Sequence, residues 1–122
     1  MSWFWLLAGG LIGTAGRYAL SGVVYGWAGS GFPFGTLAVN TLGCFLMGCA
    51  ATLVDRSAMS PEARLFCMIG GLGAFTTFSS LIYESWRLMQ DGQAMLAAAN
   101  VAGSVVLGCF AFWLGSVLAS AL

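Results

Sequence analysis

The chain has no histidine and no lysine, and only 7% of its 122 residues are charged. With no histidine, and no nucleophile set beside a base, its motifs hold no catalytic constellation, which argues against an enzyme. Four arginines balance four acids for a net charge of zero, so there is no basic surface to recognise nucleic acid or anionic lipid. No Asp or Glu precedes Asp55. The first apolar segment therefore lacks the embedded acid that a proton-coupled small multidrug exporter requires. Cys44, Cys49, Cys67 and Cys109 lie inside apolar stretches without metal-ligand spacing, and they read as small packing residues rather than a disulfide framework or zinc site.

What is present instead is apolar: 60% of the residues, a proportion that so few charges cannot solubilise in a domain of this size. A hydrocarbon core of roughly 30 Å takes about 20 residues of helix. The chain therefore has room for four spans and little else. The pattern predicts an all-α integral membrane protein, residues 1–122 forming one transmembrane domain with spans near 3–27, 34–53, 61–89 and 94–119. Gly29 to Pro33 supplies the first turn, Ser60 and Pro61 read as N-cap and first residue of the third helix, and Asp91 with Gly92 ends it. No basic run precedes the first segment and no cleavage signature follows it, so it reads as a retained span. Arg56 and Arg64 fall on one side of the membrane and Arg87 on the other. That asymmetry is too small to fix orientation, which permits insertion both ways up and an antiparallel homodimer.

Polar residues recur at helical spacing within the apolar runs. Gly9, Gly13, Arg17 and Ser21 form one stripe of the first span; Thr36, Asn40, Cys44 and Gly48 one of the second; Asn100, Ser104 and Gly108 one of the fourth. Small residues let helices approach closely where lipid offers no hydrophobic drive. Arg17 either snorkels to the interface or makes an electropositive vestibule that gathers anions. Asn40 is either a hydrogen-bonded link between helices or a ligand to a permeating species. The third span carries Gly70, Gly71, Leu72, Gly73, Ala74, Phe75, Thr76, Thr77, Phe78, Ser79 and Ser80, a glycine-rich run with two β-branched residues that predicts a broken helix. Carbonyls freed near Gly73 and Thr76 suit a hard monovalent cation, while the hydroxyls of Thr77, Ser79 and Ser80 offer donors to an anion. With Glu84 the nearest carboxylate and toward the far end of the span, the expected path is free of acids and suits an anion.

These motifs resemble the Fluc/CrcB family of fluoride channels over essentially the whole chain: Gly9, Gly10, Gly13, Gly16, Arg17 and Tyr18 in the first span, Gly35 through Asn40 in the second, Gly73 through Ser79 in the third. The resemblance implies a fluoride-selective channel in the cell inner (plasma) membrane that lets fluoride leave passively and relieves its toxicity. It further implies a dual-topology antiparallel homodimer with two pores and a structural sodium ion on the dimer axis, held by the backbone carbonyls of Gly73 and Thr76. Asn40 would be the pore-lining amide, Phe78 the first of an aromatic pair on fluoride, Ser79, Ser80 and Ser104 the hydroxyl track, and Arg17 the arginine at the pore entrance. Thr36 lies on the Asn40 ridge and is placed in the same pathway. The family's second phenylalanine falls at Leu81 here, and Phe75 is an additional one a turn earlier. Asn100 stands near the place where some members carry a tyrosine.

Overall fold

The computed structural model describes residues 2–122. Helix α1 spans Ser2–Ala28 and α2 spans Phe34–Asp55. The next rod starts as α3 at Pro61–Arg64, widens into a π-helical stretch at Leu65–Leu72 and regains α geometry at Gly73–Phe75. After a break at Thr76 and Thr77 it resumes as α4, Phe78–Gln90, and the chain closes with α5, Ala94–Ser120. No strand occurs among the described residues.

Three stretches, Phe34–Asp55, Pro61–Gln90 and Ala94–Ser120, are long and apolar enough to cross a membrane, which makes this a multi-pass membrane protein. Helix α1, at 27 residues, reaches about 40 Å and so exceeds a hydrocarbon core of roughly 30 Å. It is not among the three apolar stretches because its glycines, Arg17, Tyr18 and several tryptophans lower its hydropathy.

Chain punctuation follows local chemistry. Ser60 accepts from the Ala63 amide and Pro61 occupies the first helical position, whose amide would be unbonded anyway. Gly29 and Gly92 adopt positive φ of 76° and 75° just past the ends of α1 and α4, a conformation that costs glycine nothing and stops a helix within one residue. At the other end, Arg56 Nη2 donates to the Ser120 carbonyl at 2.6 Å. This caps the negative end of α5 and fixes the 56–60 connection beside the C-terminus.

The interior is built from small residues. Only Val39 and Asn100 are fully buried among larger side chains, whereas Trp3, Leu7, Leu11, Trp27, Trp86 and Trp113 point outward. That arrangement inverts the soluble pattern and fits lipid, where helices associate through close backbone contact. Two glycine seams provide it. Along α1 and the π-helical stretch, Gly9 and Gly13 lie against the Phe66 and Gly71 carbonyls, and Gly70 meets the Leu6 carbonyl in return. Along α2 and α5, Gly48 meets the Phe112 carbonyl, Gly115 the Phe45 carbonyl, and Gly108 the Cys44 thiol. The second seam is reinforced by Thr52 and Ser116, whose hydroxyls are 2.9 Å apart, and by Cys49 Sγ donating to the Gly115 carbonyl.

The break in the third rod changes its partner. Residues before it pack on α1, and α4 after it packs on α5. The glycines at 70 and 71 do not themselves break the helix; they lie in the π-helical turn, where the wider winding carries them against α1.

A methyl group at a seam glycine must displace backbone, and overpacking of this kind costs roughly 1–3 kcal/mol. Gly115→Ala and Gly13→Ala should therefore each lower the thermal midpoint of the detergent-solubilised protein. Gly103→Ala, where an added Cβ meets nothing within 4 Å, should leave it unchanged or raise it.

Candidate functional site

The break is held open by one side chain. At Thr76 and Thr77 the backbone turns extended, with ψ of 157° and 113°. The Thr77 amide, which in a continuous helix would close on the Gly73 carbonyl, donates instead to Asn40 Oδ1 at 2.7 Å. Asn40 Nδ2 in turn donates to the Thr77 carbonyl at 2.9 Å. The amide thus satisfies both backbone polar groups of one residue, in two adjacent peptide units, which resolves the two readings of Asn40 toward a bond between helices. Nδ2 makes no second hydrogen bond among the described residues, and Asn40 lines a cavity.

Thr77 then starts α4. Its hydroxyl accepts from the Ser80 amide at 3.2 Å and lies 3.0 Å from the Ser80 hydroxyl and 3.4 Å from that of Ser79. On the other side of the break, no backbone amide among the described residues donates to the Gly73 or Thr76 carbonyls. Gly73 is exposed on the single chain. Peptide oxygens without an amide partner are hard donors, a chemistry that fits a monovalent cation taking oxygen ligands.

Three cavities follow one another along the broken rod. The outermost lies between the two connections at the end away from the C-terminus, lined by Ser30, Pro33, Tyr83, Arg87, Asp91 and Gln93 together with Tyr25 and Glu84. The second, about 280 Å³, shares Tyr25 and Glu84 with the first and is lined further by Thr14, Arg17, Ser21, Thr36, Thr77 and Ser80. It has room for an ion and several waters. The third, about 320 Å³, shares Thr77 with the second and holds Asn40, Thr76, Phe78, Leu81 and Ser104.

The expected site residues divide accordingly. Asn40, Phe78, Leu81 and Ser104 come together in the third cavity; Arg17, Thr36 and Ser80 line the second. Phe78 is 74% exposed, so much of its ring faces outward from the single chain. The Ser104 hydroxyl is buried with no hydrogen-bond partner among the described residues. Ser79 is exposed beside Thr77. Phe75 lies elsewhere: its ring contacts the glycine surfaces of Gly16 and Gly43, filling the space between α1 and α2 rather than either cavity.

Two expectations need correction. The path is not free of carboxylates, because Glu84 lines both outer cavities. Helical winding of α4 brings it back toward α1 and α2, where Oε1 accepts from Thr36 Oγ1 at 2.7 Å and from the Tyr25 hydroxyl at 3.0 Å. The Thr36 proton is therefore already committed. The Asn100 stripe also splits: Asn100 donates to Ser85 Oγ at 2.9 Å, Ser104 enters the third cavity and Gly108 packs on Cys44. Tyr25 is the residue the sequence reading missed. Its spacing four residues after Ser21 would extend the polar stripe, but its partner lies 59 residues away.

The model of one protein family, described as CrcB-like protein, Camphor Resistance (CrcB), matches residues 4–116. A protein of Magnetococcus marinus named Fluoride-specific ion channel FluC is 48% identical over 115 residues, covering 93% of this chain and 94% of the relative. One of the same name from Thermus thermophilus is 48% identical over 114 residues, covering 93% and 91%. Another from Geotalea uraniireducens is 47% identical over 115 residues, covering 93% and 92%.

Removing a partner from a buried polar group costs about 1–3 kcal/mol. Asn40→Ala should therefore speed hydrogen exchange at the Thr77 amide while exchange within α2 stays slow, read by site-resolved exchange in detergent micelles.

Proposed function

This chain belongs to the CrcB family, and on that premise we propose that it is a fluoride-selective channel giving passive fluoride efflux across the inner membrane. The observation that carries the reading is the junction at Thr77 between an arginine-lined cavity and one with unspent donors, in a chain nearly half identical to proteins named as fluoride channels. All four long helical rods would cross the bilayer, α1 being sheltered along one side by the first half of the third rod.

Fluoride holds its hydration shell tightly, so a selective path must replace that shell with donors set close together. Arg17 would draw the anion into the second cavity. The Thr77 and Ser80 hydroxyls stand at the passage to the third. There the free N–H of Asn40, the unpartnered hydroxyl of Ser104 and the positive edge of the Phe78 ring can each face the ion. Leu81 in that cavity adds a dry wall and no aryl edge. Thr36 acts one step removed, through Glu84.

The functional unit we infer is an antiparallel homodimer with two pores. Support comes from the third cavity, which opens at the surface beside the exposed Phe78 and would meet lipid unless a second copy covered it. The near balance of Arg56 and Arg64 against Arg87 suits insertion in both orientations. In such a dimer the Gly73 and Thr76 carbonyls of each copy would hold a sodium ion at the axis, and the ion would supply structural charge neutralisation between the broken helices.

Purified protein in liposomes should release fluoride, followed with a fluoride electrode, and retain chloride. Absence of fluoride release would overturn the channel reading. A hydrogen bond to a charged group is worth about 1.5–3 kcal/mol, so Ser104→Ala should slow release roughly tenfold or more, and Phe78→Ala should slow it too, with the dimer still assembled in both. Exchanging sodium for a large organic cation should weaken the dimer on size-exclusion chromatography; an unchanged profile would remove the sodium assignment.

A further inference from the structure

The second cavity contains a base and an acid that do not meet. Arg17 and Glu84 both line its 280 Å³, yet no arginine nitrogen lies within 4.0 Å of a carboxylate oxygen among the described residues. Opposite charges facing a small cavity with low-dielectric walls attract strongly. The two charges line one space without pairing.

What holds Glu84 is visible. Its Oε1 takes two hydroxyl protons, from Thr36 at 2.7 Å and from Tyr25 at 3.0 Å. Its Oε2 is buried and has no partner among the described residues, so the carboxylate is only half satisfied and is fixed by one oxygen. The other charged groups facing it lie in the outer cavity, Arg87 and Asp91, and Arg87 is turned to the Tyr83 hydroxyl at 3.3 Å. The Tyr25 ring packs on Gly35, where a side chain would overlap it, so the hydroxyl is delivered from a rigid position.

We propose that Tyr25 is a positioning residue that, with Thr36, tethers Glu84 against the wall and prevents it from pairing with Arg17, leaving the guanidinium charge free for an incoming anion. This rests on the anion-channel reading for its functional meaning but not for its geometry. Loss of the tether lets the carboxylate swing to Arg17 and compete with fluoride for the same charge. The effect is on how readily the anion is admitted, and it requires the negative charge at position 84.

Tyr25→Phe keeps the ring on Gly35 and removes only the hydroxyl. In reconstituted full-length protein it should raise the half-saturating fluoride concentration roughly tenfold, the scale of a lost hydrogen bond to a charged group. In a Glu84→Gln background the same substitution should have little further effect, because a neutral amide cannot cancel Arg17. A Tyr25→Phe effect below twofold, or one equally large in the Glu84→Gln background, would overturn the proposal. A second measurement does not depend on flux. The chain has two glutamates, Glu62 and Glu84, and Glu62 is exposed, so isotope-labelled glutamate in Glu62→Gln protein isolates the Glu84 carboxylate in the infrared. Tyr25→Phe should shift its stretching band, and adding Arg17→Gln should change that shift by the part that new pairing with Arg17 contributes. A band unmoved by Tyr25→Phe would refute the tether whatever the flux. A wild-type protein that shows the shift on substitution but passes no fluoride would refute the channel reading and keep the tether.

Discussion

The two-point bond between the Asn40 side chain and the Thr77 peptide is the constraint on which the rest of the site depends. An interrupted helix at membrane depth exposes backbone groups that water cannot reach, and each left bare would cost several kcal/mol in hydrocarbon. Asn40 is the right size and chemistry to satisfy the backbone donor and acceptor of one residue at once. With Thr77 fixed, its hydroxyl caps α4, the second and third cavities meet at it, and the Gly73 carbonyl is left without a helical partner. One amide therefore sets the passage and also leaves oxygens available to a cation.

The glycine seams make that geometry affordable in another sense: they bring α1 to the π-helical stretch and α2 to α5 closely enough that a side chain as short as asparagine can span from α2 to the break. Bulkier seams would hold the backbones apart. The seams and the clamp thus cooperate across scales, with backbone contact providing the distance and the polar bond providing the register.

Much of this architecture was legible in the residues, and the reasons are local. Ser60 and Pro61 announce a helix start through rules that act within one turn, and the third cap is where they place it. The run from Gly70 to Ser80 signalled an interruption because intrinsic propensity changes there. Its position was less legible: the glycines prefer the wide turn beside α1, and the chain opens at the two threonines, where Asn40 offers better bonds. Tertiary choices of that kind are invisible to spacing. The same holds for Phe75, whose ring answers to gaps at Gly16 and Gly43 on other helices, and for Glu84, whose place beside Tyr25 and Thr36 follows from how α4 turns after the break.

The π-helical stretch at Leu65–Leu72 carries a further consequence. Such winding accommodates an extra residue relative to an α-helix, and it is less favourable per turn. Winding the same residues as a plain α-helix would turn everything downstream about the rod axis, swinging Thr77 away from Asn40 and Phe78 to another face. The winding of this stretch therefore matters beside its seam glycines, because the turns between Pro61 and Thr77 act as a phase setting for the half of the rod that follows.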